Sequence, residues 1–205
     1  MATVSEAVLG NVELVKRRVT LEGLAPIMFD RYPGDNDTKL EPWQRLYLKD
    51  IKDPVVGLPS LNIMSFMSAQ NTKSAPKRLL DPRKYRKVAD AFLSFVMVTP
   101  DFIPFTRDGK EIKLASKLEN GPDPVSGIYV HRAVARLEDG IPNPKARPTL
   151  PLPWSLSFML TMFPNKEIQE TQVANIMKDG GIALGLGTWR GVFGKFAITG
   201  WEEIK

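Results

Sequence analysis

The sequence predicts an α+β fold, an antiparallel sheet with helices on one face, and three observations predict it. An alternating apolar segment, Val12 to Asp30, follows a polar leader, a helix-forming segment follows Ser60, and the last third reads strand, helix, glycine loop, strand. The 205 residues suffice for one well-packed domain and are short for two. A hydrophobic fraction of 43% and a charged fraction of 25% are those of a globular chain, so neither intrinsic disorder nor a membrane protein is indicated. No apolar run approaches the roughly 18 residues of a membrane span. Met1 to Gly10 lacks the charged-then-apolar layout of a secretory signal, and a cytoplasmic location is expected, in keeping with the absence of cysteine.

In the first strand Val15, Val19 and Leu21 stand among charged residues, and Gly23 and Pro26 mark a bend at its end. Arg31 to Trp43 has the composition of a loop, and Arg45 to Ile51 reads as a short strand. Ser60 is placed to cap a helix through Ile63, Met64, Phe66 and Met67. Pro76 and Pro82 then break a basic stretch that cannot form one continuous helix. Ala89 to Val98 is apolar and fits a strand or a buried helix equally well. Asp108-Gly109 predicts a hairpin turn between Phe105 and Ile112. Ile128 to Leu137 and Trp154 to Phe163 read as strands, and the five prolines from Ile141 to Pro153 predict an exposed connection or edge hairpin. Asn165 is placed to cap a helix with Ile168, Val173, Ile176 and Met177 on one face, stopping at Gly180-Gly181. A glycine loop and a strand to about Trp201 follow, which completes a split βαβ unit. The expectation is a single ferredoxin-like (RRM-like) domain over residues 1–205, with an insertion around 71–125 and a proline-rich hairpin or loop around 138–153.

Charge is concentrated rather than spread. Lys73, Lys77, Arg78, Arg83, Lys84, Arg86 and Lys87 lie in one stretch with the single acid Asp81, a local charge of +6 against +5 for the whole chain. The remainder is within one charge of neutrality. Such a stretch is either a solvated face or a phosphate-binding strip, and Tyr85 within it is a candidate for stacking on a base.

Catalytic options are few. Without cysteine there is no disulfide, zinc–cysteine site, iron–sulfur cluster or thiol nucleophile. The one histidine, His131, shares a strand face with Tyr129 and Ala133, with Arg132 on the opposite face; a general base there needs a positioned partner. Asp30, Asp35 and Asp37 cluster in the loop after the first strand, and Asp50 and Asp53 flank a second turn, yet loop aspartates are chiefly turn formers. Gly185-Leu186-Gly187 follows a helix and precedes a strand, the reverse of the nucleotide-binding order, and no Gly-Lys-Ser/Thr follows it. Two readings of this loop stand side by side. Either Gly185 and Gly187 let a phosphodiester chain approach the backbone while Arg190 and Lys195 supply charge, or the glycines make a tight turn and Trp189 covers a core edge.

Three landmarks, in order, resemble the RAMP superfamily, the ferredoxin-like RNA-binding proteins that build CRISPR effector backbones. They are Gly23-Leu24-Ala25-Pro26-Ile27 at the end of the opening strand, Asp53 to Ile63 leading into the first helix, and the terminal helix running into Gly185-Leu186-Gly187 and Gly191-Val192-Phe193-Gly194-Lys195-Phe196. The ending also resembles phage and prophage proteins that finish in Gly-Ile-Gly-x-Trp-Arg and Gly-Arg-Phe, here Leu186, Thr188, Trp189, Arg190, Gly194, Lys195 and Phe196. The likeness covers about a third of the chain and leaves Arg83 to Pro153 unmatched; Pro59-Ser60-Leu61-Asn62 departs from the family's serine-rich helix start. The resemblance implies a non-enzymatic subunit that assembles along RNA or single-stranded DNA, as a homo-oligomer or in a multi-subunit complex, without membrane or cofactor. Its nucleic-acid contacts would be the seven cations from Lys73 to Lys87, together with Gly185, Gly187, Trp189, Arg190 and Lys195. Some family members cleave target RNA with a metal held by a loop aspartate, which implies an alternative role for Asp35 or Asp37 as a metal-dependent ribonuclease residue. A phage structural or protein-interaction protein is the third reading.

Overall fold

The computed structural model describes residues 14–35, 37–50, 52–68, 82–136 and 142–204, with backbone alone at 82–85, 135, 136 and 143. Strand β1 (Val15–Gly23) buries Val19 and Leu21 and exposes Arg18 and Glu22, the alternation of a strand with one face on a core. At its end, Gly23 gives the Trp154 ring room, since the ring lies 2.3 Å from where a Cβ would stand, and the indole Nε1 donates to Ala25 O at 2.9 Å. The chain then bends into β2 (Ile27–Met28), so the expected first strand is two strands in different sheets.

The larger sheet is ordered β11-β1-β10-β6-β4-β3, where β3 is Tyr47–Leu48, β4 Val56–Pro59, β6 Phe102–Arg107, β10 Ser155–Met162 and β11 Phe196–Glu203. Strand β5 (Val96–Thr99) lies on the same edge of β10 as β6, pairing with Met159 to Met162 while β6 pairs with Ser155 and Leu156. Helix α2 (Pro82–Phe95) precedes β5, and α3 (Glu170–Ala183) connects β10 to β11. Strands β10 and β11 both run antiparallel to β1, one on each side, so they are parallel to each other with one strand between. This is the split βαβ unit, and with β5 beyond β10 the four strands take the ferredoxin-like order.

Ala89 to Val98 resolves into both of the alternatives open for it. Val88, Ala89 and Phe92 are buried at helical spacing up to Phe95, after which Val96 and Val98 are buried on either side of exposed Met97. The period changes from 3.6 to 2 within one apolar run. Pro82 opens α2, where its missing N–H would have no helical partner in any case, so Arg83 to Lys87 are helical rather than part of a loop.

Helix α1 (Ser60–Met67) begins one residue earlier than the capping expectation. Pro59 occupies the cap position, and Ser60 is the first helical residue, with its N–H on Asp101 O at 2.7 Å. Two expectations for α3 are also corrected. Asn165 closes a turn instead of capping the helix, its Oδ1 accepting from Glu167 and Ile168 N–H, and Gln169 holds the cap position. Gly180 and Gly181 lie buried inside the helix, where a Cβ would meet the Phe66 ring at 2.7 Å and the Phe196 ring at 2.6 Å. The glycine stop comes at Gly185, in the left-handed region with φ +80°.

A smaller sheet, β2-β9-β8, is built from a hairpin of β8 (Tyr129–Arg136) and β9 (Pro142–Leu150). The proline-rich segment is thus its middle strand and not a peripheral connection. Pro148 O accepts from Phe29 N–H on the β2 side, so Pro142, Pro144 and Pro148, at alternate positions, all turn their nitrogens away from β8 and forfeit no bond to it. The hairpin of β6 with β7 (Lys110–Glu111) forms as expected, with φ +51° at Asp108 and +75° at Gly109. Phe29, Phe105 and Trp154 pack edge to face at 5.7 and 5.5 Å and join the two sheets in one core. Among the described residues no helix is long and apolar enough to cross a membrane.

Candidate nucleic-acid interface

The loop between α3 and β11 lies against β2. Thr188 N–H donates to Met28 O at 2.9 Å and Gly194 N–H to Pro26 O at 2.8 Å, while Leu186 N–H reaches Gly194 O at 2.9 Å across the loop. Gly185, Gly187, Gly191 and Gly194 all have positive φ. A Cβ at Gly185 would lie 2.6 Å from Gly194 C, and one at Gly187 2.4 Å from Met28 O. The close approach these glycines permit is therefore of the loop to its own backbone and to β2, which is the tight-turn reading of the segment. Trp189 itself is left-handed at φ +53°, an uncommon conformation for a residue with a Cβ.

That turn brings Trp189 and Phe193 against the β8 face that carries Tyr129 and His131. Ring centroids are 6.3 Å apart for His131 and Trp189, 5.2 Å for His131 and Phe193, 6.3 Å for Trp189 and Phe193, and 6.5 Å for Tyr129 and His131. All four side chains are half-buried, and so each keeps some surface open to solvent. On this face the neighbours of His131 are the rings of Tyr129, Trp189 and Phe193.

Arg190 follows Trp189. Its Nε donates to Gly187 O at 3.3 Å, but Nη1 is shielded from solvent and has no hydrogen-bond partner. Burial pushes the guanidinium below its ordinary pKa. The loop thus holds a half-buried cation with no ion pair among the described residues, which an anion would satisfy. Lys195, half-buried, sits where the loop enters β11, and its carbonyl accepts from Leu24 and Ala25 N–H.

Of the basic stretch, Lys73, Lys77 and Arg78 lie outside the described residues, and Arg83, Lys84 and Tyr85 are described by backbone alone in α2. Arg86 and Lys87 are exposed, and their ion pairs with Asp90 at 3.9 Å and Glu167 at 3.6 Å are loose. Exposed pairs of this kind contribute about 0–1 kcal/mol, so both cations can exchange partners readily.

The aspartates have other work. Asp30 pairs with Arg45 at 2.7 Å and Arg147 at 2.8 Å. Asp35 accepts from the N–H and hydroxyl of Thr38 and from Asp37 N–H, bonds that hold its carboxyl below the usual range. Asp50 accepts from Lys52 N–H, and Asp53 pairs with Lys113. Among the described residues no three His, Cys, Asp or Glu side chains come together in a group suited to a metal.

No family model matches the sequence, and no curated protein is significantly similar to it. Among solved structures the fold is similar to a chain in the cryo-EM structure of the Type III-B Cmr-β complex bound to cognate target RNA, with a TM-score of 0.51 and 12% sequence identity. The likeness is one of fold. It covers 98% of this chain and 64% of the other, so the protein spans less than two thirds of that neighbour's length. It agrees with the ferredoxin-like architecture expected from the sequence.

Sequence reasoning found Trp189, Arg190 and the Tyr129–His131 face but did not join them. Phe193 was legible only as part of a glycine-rich motif. Its partner His131 is 62 positions away in the numbering, and no local period signals such a contact.

Proposed function

We propose that the protein is a non-enzymatic subunit that binds single-stranded nucleic acid, RNA in the first instance, and assembles with further subunits along the strand. The observation that carries this reading is the half-buried guanidinium of Arg190, without an ion pair among the described residues, beside a half-open cluster of aromatic rings. A phosphate would pair with the part of the guanidinium that stays open to solvent, and a guanidinium can take two of its oxygens at once. Unpaired bases supply π-faces for Trp189 and its neighbours, which a duplex would withhold. Arg86 and Lys87 and the basic stretch before them add sequence-independent phosphate contacts. The fold neighbour comes from an RNA-bound assembly, which is consistent with this reading.

Fluorescence anisotropy with labelled 20-nucleotide single-stranded RNA, single-stranded DNA and duplex RNA tests it. Binding to the single strands is expected at low salt, weakening steeply as salt rises. Arg190→Met is expected to weaken it at least about tenfold, equivalent to about 1.4 kcal/mol. No binding to either single strand at low salt, or unchanged affinity in a folded Arg190→Met variant, would sink the proposal.

A further inference from the structure

A cavity elsewhere in the protein shares none of these residues. It has a volume of about 650 Å³ and lies between the short 3-10 turn Pro42–Arg45, strand β3, Phe102 of β6 and the segment from Leu114 to Lys117. Its size is that of ordinary small-ligand pockets. Three flat rings, Trp43, Tyr47 and Phe102, line it together with Leu46, Leu48, Leu114, Pro54 and Pro59. Among the described residues, the charged ones that line it are Arg31 and Lys117, and none is a carboxylate.

Both cations are positioned. Arg31 is held by its Nε on Gln44 O at 3.0 Å and its backbone N–H on Arg45 O at 3.0 Å, and it has no ion pair among the described residues. Lys117, exposed, places Nζ 5.9 Å from the centre of the Trp43 ring. The wall that carries Lys117 is rigid, because Ala115 and Ser116 N–H both donate to the Asp123 carboxylate, at 2.8 and 2.7 Å. Gln44 brings an amide whose Oε1 is fixed by Glu41 N–H at 2.9 Å. A preformed apolar slot with aromatic surfaces, one amide and two cations without acids suits a planar, aromatic anion.

We propose that this cavity binds a single nucleotide, with the base against Trp43 and the apolar wall and the phosphate on Arg31 and Lys117. An aliphatic acid would satisfy the charge but leave the rings without a flat partner; a nucleoside would do the reverse. The proposal stands independently of the strand-binding interface. Its two sources share one chemistry, a free nucleoside monophosphate or one unstacked residue of a bound strand.

Isothermal titration of the full chain with AMP, GMP, CMP and UMP, with the matching nucleosides and inorganic phosphate as controls, decides it. At least one monophosphate is expected to bind with a Kd of about 1 mM or tighter, and its nucleoside and phosphate at least tenfold more weakly. Lys117→Glu, at an exposed position, and Trp43→Leu are each expected to weaken binding at least tenfold. Arg190→Met is expected to leave it unchanged, which separates this site from the strand interface. Displacement of the nucleotide by a 20-nucleotide strand assigns the ligand to the strand; persistence assigns it to free nucleotide. No saturable binding of any monophosphate up to 5 mM, or binding that Lys117→Glu leaves intact, overturns the proposal.

Discussion

Arg190 Nη1 and Asp123 are opposite solutions to burying a charge. The Asp123 carboxylate is almost inaccessible and accepts from the N–H groups of Ala115, Ser116, Val125 and Ser126 and from the Ser126 hydroxyl. Burial alone would raise its pKa, but the bonds from Ser126, Ala115 and Val125 outweigh it and hold the group below its ordinary value. The sign of the pH dependence follows. Above the unfolded value of about 4 both states are ionised and the full contribution is present; as pH falls below it the unfolded chain takes up the proton first, and stability is lost until the folded value is passed. Glu170, held down by Arg17 and, against a cost of burial, by the indole of Trp201, adds to the same acid limb. Asp123→Asn is expected to lower the melting temperature at pH 7 and to flatten its fall between pH 5 and pH 3, read by circular dichroism at a series of pH values. For Arg190 the expectation reverses. Arg190→Met removes a half-buried cation whose Nη1 has no hydrogen-bond partner among the described residues, so its melting temperature should rise by about 2–4 °C for each kcal/mol recovered while strand affinity falls. A variant that loses both would place the guanidinium in the structure's own support.

At the scale of elements, α3 shows why a glycine pair can be misread. Two adjacent glycines near a helix end usually mark the stop, yet here they are thin points through which the Phe66 and Phe196 rings reach the helix axis. The information lies in the partners, one on α1 and one on β11, and those contacts have no local sequence signature. Gly181→Ala measures it. At an exposed helical site the change would gain about 1 kcal/mol of propensity. Here the new methyl meets both the Phe196 ring and its carbonyl at 2.8 Å, so a net loss of about 1–3 kcal/mol is expected in urea unfolding. The same limit applies elsewhere. Strands β1, β8 and β10 and the Asp108-Gly109 hairpin were legible, because alternation and turn chemistry are local. The capping roles given to Ser60 and Asn165 were not, since Asp101 O and the turn at Glu167 and Ile168 decide them. Of the interface, residue types were legible; their convergence across β8 and the glycine loop was not.

For the whole molecule, the question is what one copy leaves for the next. The larger sheet ends on β11 and on β3, and among the described residues each has one edge without a strand partner. Arg86 and Lys87 stand on α2, and Arg190 with its rings stands in the loop entering β11, so the described cations lie on two separate elements. Under the proposed strand binding, cations on separate elements would meet a run of phosphates rather than one. If each copy covers a fixed run, the number bound must rise with strand length while affinity per copy stays constant or increases through contact between neighbours. Size-exclusion chromatography with light scattering, at saturating protein on 20- and 60-nucleotide single-stranded RNA, measures this directly. The 60-nucleotide strand is expected to carry about three times as many copies as the 20-nucleotide strand. Equal numbers on both would confine the protein to a strand end or a single structured site, and the assembling part of the proposal would fall while its binding part stood.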